Sequence, residues 1–145
     1  MREYKFRGKN KDIGWVYGQL AYDINGNTYI IQEVEIDASY GLEESILFAT
    51  MWYKVDKNTV GQFTGLFDKN KKEIYDGDIV KKETYDDEYP NHRKPSYAKV
   101  GYVESCSGYY LLNKRNKIYW DLASDRYNIE VIGNIYENKD LLEKM

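Results

Sequence analysis

The sequence is poor in the residues that most often carry chemistry. Of 145 residues, one is cysteine (Cys106) and one is histidine (His92). An internal disulfide framework is excluded, and so is a metal centre built on several histidines. There are only two prolines, Pro90 and Pro95, both in one polar segment. No apolar run approaches the roughly 18 residues of a membrane-spanning helix. The opening Met1-Arg2-Glu3-Tyr4-Lys5 lacks the apolar stretch of a signal peptide, so a soluble, cytoplasmic protein without membrane association is expected. Excess positive charge is also missing. The net charge of -3 argues against a globally basic nucleic-acid binder. With 42% hydrophobic and 31% charged residues, a disordered chain is excluded as well.

Aromatic side chains are plentiful: sixteen tyrosines, three tryptophans and four phenylalanines. Tyrosine suits a pleated, half-buried surface, with its ring on apolar neighbours and its hydroxyl in water. Eleven glycines supply tight turns. The expectation is a mainly β protein, a β-rich α+β fold with one short C-terminal helix.

Charge is unevenly placed. Arg2, Lys5, Arg7, Lys9 and Lys11 open the chain, whereas residues 12–53 hold no lysine or arginine but carry Asp12, Asp23, Glu33, Glu35, Asp37, Glu43 and Glu44. The first strand is therefore expected beside acids of the next hairpin. In that hairpin Asn25-Gly26 reads as a type I′ turn, placing Tyr22 opposite Tyr29 and Leu20 opposite Ile31. Residues 37–58 admit two readings. One is a short helix marked by Leu42, Ile46 and Leu47, with Ser39 as cap and Glu43 and Glu44 in support. The other, preferred here, is a loop or helical turn followed by a strand from Ile46 to Val55.

From Thr59 a strand runs into a polar turn at 68–72, then an Asp76-Gly77 turn and a strand from Ile79. A long polar loop over 85–97 follows. Strands are expected at Ala98–Glu104, Tyr109–Leu112, Ile118–Trp120 and Tyr127–Tyr136, then a helical turn capped by Asn138. Short strands with glycine turns imply a small SH3-like barrel. The chain divides into an N-terminal hairpin lobe, 1–58, and a C-terminal barrel, 59–145, with a turn-rich block over 59–80. In that block Gly65, Asp68, Tyr75, Gly77 and Asp78 read as a structural motif.

Three segments carry a resemblance. Arg2-Glu3-Tyr4-Lys5-Phe6-Arg7, the long run from Gln62 to Val80, and Glu130-Val131-Ile132-Gly133-Asn134-Ile135-Tyr136-Glu137-Asn138 resemble, in order, blocks of the YopX family of phage and prophage proteins. The resemblance implies a phage-encoded origin and an SH3-type C-terminal part. It implies no activity, since the family is known chiefly as proteins of unknown function. Where the family has glycine in the central turn, this chain has Lys71. Either Asn70 takes the left-handed position or the turn differs.

The search for chemistry yields little. Read as a calcium-binding loop from Asp68, the glycine position falls on Glu73 and the final glutamate position on Ile79, so the pattern fails. Cys106 and His92 could pair, but no residue is seen to orient them. No phosphate-binding glycine loop or dinucleotide fingerprint occurs. No catalytic, cofactor or metal residues are assigned. The candidate binding surface is a basic-aromatic hairpin: Tyr109, Lys114, Arg115, Lys117, Tyr119 and Trp120. Its cations can attract phosphate and its rings can stack on bases. The expected function is a non-catalytic protein-interaction module that binds itself, as a homo-oligomer, or another phage or host protein. Nucleic-acid binding by the hairpin is the alternative, and a hydrolase-type enzyme a distant third.

Overall fold

A computed structural model describes residues 3–39, 41, 43 and 45–145. The chain is mainly β and forms two compact units, Glu3–Gln62 and Phe63–Met145. Their boundary falls inside one 22-residue strand, β4 (Ile46–Phe67), and the expected division at 58/59 lies in that same strand.

In the first unit β1 (Phe6–Asn10), β2 (Gly14–Tyr22), β3 (Thr28–Asp37) and β4 pair antiparallel in chain order, and β1 also pairs with β4. The ring of pairings thus closes on itself. Val16, Ile30 and Val55 form its buried core, with Phe6, Leu20, Tyr53 and Val60 against them. Basic β1 lies between β2 and β4, where Lys9 stands opposite Asp56, and not beside the acids of β3. The helix reading of 37–58 is overturned from Ile46 onward by strand β4. Two of its marks, Leu42 and Glu44, lie outside the described residues, as do Met1, Arg2 and Tyr40.

The second unit holds β5 (Glu73–Tyr75) on the end of β4, and a five-stranded sheet. That sheet contains β6 (Asp78–Tyr85), β7 (Arg93–Val103), β8 (Gly108–Leu112), β9 (Ile118–Asp121) and β10 (Ile129–Asn134), in the order β10-β6-β7-β8-β9. A short helix α1 (Leu122–Asp125) and a 3-10 turn precede β10, an SH3-like arrangement of strands. Ile74, Val80, Ala98, Val100, Leu111, Leu122, Ile129 and Val131 make its core. The polar loop is shorter than expected, 86–92, because β7 begins at Arg93 and carries Pro95 opposite Glu83. The last strand is shorter too. A bulge between Val131 and Gly133 breaks the alternation, so Asn134 turns inward. Asn138 stands at the N-cap position of helix α2 (Lys139–Glu143), but its side chain makes no cap bond; its Oδ1 instead accepts the Asn134 N–H at 3.0 Å.

One turn geometry recurs. At Asp23–Asn27, Asp68–Lys72 and Asn113–Lys117 the first residue's N–H donates to the last residue's carbonyl, and the fourth N–H donates back to the first carbonyl. The first side chain accepts the third and fifth backbone N–H groups at 2.8–3.1 Å. The fourth residue is left-handed: Gly26 (φ 80), Lys71 (φ 64) and Asn116 (φ 60). The type I′ reading of Asn25-Gly26 is therefore corrected. Asp23 gathers the turn, Gly26 alone takes positive φ, and the register places Tyr22 opposite Thr28 and Leu20 opposite Ile30. In the central turn Lys71 itself, not Asn70, takes the left-handed position.

Asp68 does more than hold its turn. It is buried, and its second oxygen accepts the Val131 N–H of β10 at 2.8 Å, while the Lys69 N–H donates to the Ile129 carbonyl at 3.1 Å. Asp78, 1% exposed, accepts the Tyr75 N–H at 2.8 Å. Tyr75 packs its ring on Phe63 and donates its hydroxyl to Glu73 at 2.7 Å. Gly77 (φ 90) donates to the Val100 carbonyl and accepts from the Ile135 N–H, and a Cβ there would sit 3.2 Å from the Tyr136 ring. Gly65 (φ 83) lies where the β4–β5 register shifts between Phe63 and Phe67. Asp68, Tyr75, Gly77 and Asp78 thus each hold backbone or core, and Gly65 supplies a left-handed backbone conformation.

Two stability effects are expected. Asp68→Ala leaves the Asn70, Lys72 and Val131 N–H groups without their acceptor and should cost about 3 kcal/mol in urea unfolding. A loss below about 0.5 kcal/mol would contradict that role. Lys71→Gly relieves a side chain at φ 64 and should raise stability by about 0.5–1 kcal/mol. A neutral or destabilising result would show that the turn carries no strain there.

Candidate functional site

The basic-aromatic hairpin is β8, the Asn113–Lys117 turn and β9. Lys114, Arg115 and Lys117 are exposed at its tip, and Tyr119 is 51% exposed. The other two rings are not presented in the same way. Trp120 stands opposite Leu111 and packs, with Tyr109, against the core of the second unit. The Lys82 ammonium lies 4.8 Å from the Trp120 ring centroid and pairs with Asp125 at 2.7 Å. Tyr119 stacks on Trp120 at 4.0 Å, and Tyr109 meets Tyr102 edge-on. The hairpin therefore offers three cations and one open ring, with Tyr109 and Trp120 serving the fold.

Cys106 and His92 are far apart. His92 lies just before β7 and Cys106 just after its other end, so the strand holds them on the order of 30 Å apart. Both are exposed. Among the described residues no group of three His, Cys, Asp or Glu side chains is placed to hold a metal. Nor, among these residues, is any helix long and apolar enough to cross a membrane.

A further exposed surface lies on β3, whose start was expected as a hairpin leg, and on β4, whose Ile46–Val55 part was expected as a strand after a loop or helical turn. β2 pairs with β3 only as far as Gln19 opposite Ile31. Beyond that point β3 and β4 continue as a two-stranded arm, from Glu33 opposite Met51 to Asp37 opposite Ile46. Val34 and Ile36 stand opposite Ala49 and Leu47, giving one face that is entirely apolar. Glu33, Glu35 and Asp37 stand opposite Met51, Phe48 and Ile46 on the other. Val34, Ile36, Ile46 and Leu47 are all half or more exposed. A ribbon of two strands gains little stability in water, and among the described residues its outer edges have no neighbouring strand.

At the arm's base, Ala21, Asp23, Tyr29, Ile31, Ala49 and Trp52 line an open cleft of about 310 Å³. Tyr29 meets Trp52 edge-on at 5.5 Å and donates its hydroxyl to Asp23 at 3.0 Å. The Asn27 side chain, then backbone N–H groups and Tyr29, hold the Asp23 carboxyl below its ordinary pKa; the same hydrogen bond raises that of Tyr29. A second cleft, of about 390 Å³, lies where the β1–β4 register jumps between Arg7 and Lys9. Lys9, Lys11 and Lys54 rim it, with Asn10, Val55, Asp56 and Thr59. The periodicity that marks a core strand also describes Val34, Ile36, Phe48 and Trp52, so the sequence alone gives no sign that they are uncovered.

Comparison with known proteins agrees with this architecture. Residues 5–143 match the family described as YopX protein. A crystal structure of protein EF1440 from Enterococcus faecalis is similar, with a TM-score of 0.60 and 23% identity over 98% of this chain and 99% of that one. At that identity the likeness shows the fold alone. No curated protein matches the chain. With almost its whole length matched, the chain belongs to the YopX family.

Proposed function

We propose that this is a phage-encoded accessory protein of the host cytoplasm, without catalytic activity, that works as a protein-interaction module through the β3–β4 arm. The observation that carries the reading is the arm itself: large apolar side chains in water on a ribbon with two open edges. Contiguous exposed apolar surface rimmed by charge is typical of protein-binding sites, and an open strand edge adds backbone recognition. The position of Cys106 and His92 at opposite ends of β7 supports the non-catalytic reading. Nucleic-acid binding by Lys114, Arg115 and Lys117 is the second reading, favoured by their exposure beside Tyr119. It is weaker because Trp120 and Tyr109 are committed to the core.

Affinity capture with the tagged full chain from infected cells, with and without nuclease, separates these readings. A protein partner should be retained after nuclease and lost with Ile36→Ser/Leu47→Ser. Both sites are exposed, so that variant should keep its stability within about 1 kcal/mol. Retention that disappears with nuclease, or with Lys114, Arg115 and Lys117 changed to alanine, would favour nucleic acid and contradict the proposal.

A further inference from the structure

Resting on the interaction reading above, we infer that the partner of the arm is a second copy of this chain, and that its binding site is the lysine-rimmed cleft between β1 and β4. Both surfaces belong to the first unit, so every copy carries one of each. Their chemistry is complementary. On one face the arm offers Ile46, Phe48 and Met51, all exposed, directly opposite Asp37, Glu35 and Glu33, so apolar side chains and carboxylates lie side by side. Residues 12–53 contain no lysine or arginine, so the arm has no cation of its own. The cleft offers the reverse charge: a rim of Lys9, Lys11 and Lys54 against the single acid Asp56, with Val55 and Thr59 buried at its floor. Its volume of about 390 Å³ falls in the range of clefts that take up side chains or small ligands.

The same charges argue against the simpler assembly in which two arms pair along β3. That would bring Glu33, Glu35 and Asp37 of one copy against those of the other, and like charges across paired strands destabilise them. Arm-into-cleft binding removes this repulsion. If the contact is reciprocal, two copies close a two-fold dimer; if it runs head to tail, it continues into an open array.

Sedimentation velocity of the full chain tests this. Above micromolar concentration the mass should exceed 17.2 kDa, and association should weaken as salt is raised, because the rim charges are solvent-screened. Glu33→Lys/Glu35→Lys in the arm, or Lys11→Glu/Lys54→Glu in the cleft, should each weaken association about tenfold or more. An equal mixture of the two variants should recover it, because each arm then faces a cleft of opposite charge. Should Lys54→Glu disturb the β4 strand, Lys11→Glu alone, on an exposed residue, reads the same rim. A chain that stays monomeric, or one whose association ignores cleft reversal, would overturn the inference. If Ile36→Ser/Leu47→Ser still abolishes partner capture in either case, the arm remains an interaction element and only the identity of its partner has failed.

Discussion

A strand must satisfy its backbone N–H and C=O groups on both edges, and this requirement organises the molecule. The first unit meets it by closing β1, β2, β3 and β4 into a ring of pairings. Within the ring the small core of Val16, Ile30 and Val55 is sealed. The one place where the ring stops and the strands continue is the distal part of β3 and β4. There the outer edges have no neighbouring strand among the described residues, and the apolar side chains meet water. The functional reading follows from this departure from a rule kept elsewhere in the unit.

In the second unit the central block is held by buried carboxylates. Asp68, with one oxygen on its own turn and the other on β10, joins segments far apart in sequence through backbone N–H groups. Asp78, also buried, closes the Asp76-Gly77 turn locally by accepting the Tyr75 N–H. A buried carboxylate that accepts several backbone donors is a strong local anchor, because its removal leaves each donor unsatisfied. Within the block, Asp68, Tyr75 and Asp78 hold backbone and core of the second unit.

Much of the fold was legible because turn chemistry and alternation are local. The β8 and β9 strands and the β-rich class follow from aromatic and β-branched runs between turn formers. The failures were also local in origin. Asn25-Gly26 looked like a two-residue turn, but the Asp23 side chain recruited the backbone of Asn25 and Asn27 and lengthened the loop. The same pattern, an aspartate or asparagine followed three positions later by a left-handed residue, lies at Asp68 and Asn113 and could have been read from the three turns together. The candidate hairpin was found, but its rings could not be sorted, since Trp120 and Tyr119 are adjacent and only pairing with Leu111 turns Trp120 inward. The arm was missed altogether. Alternation reports which residues share a face and is silent on whether anything covers that face.

Hydrogen exchange of the full chain as its concentration is raised tests most directly whether the arm is a protein-binding element. Amides of residues 33–37 and 46–51 should exchange quickly in dilute solution and become protected as copies meet, while those of ring strands away from the cleft, such as Val16 and Ile30, stay unchanged. Arm amides that exchange at the same rate across the concentration range, with protection arising instead at Lys114–Tyr119 or nowhere, would contradict the account.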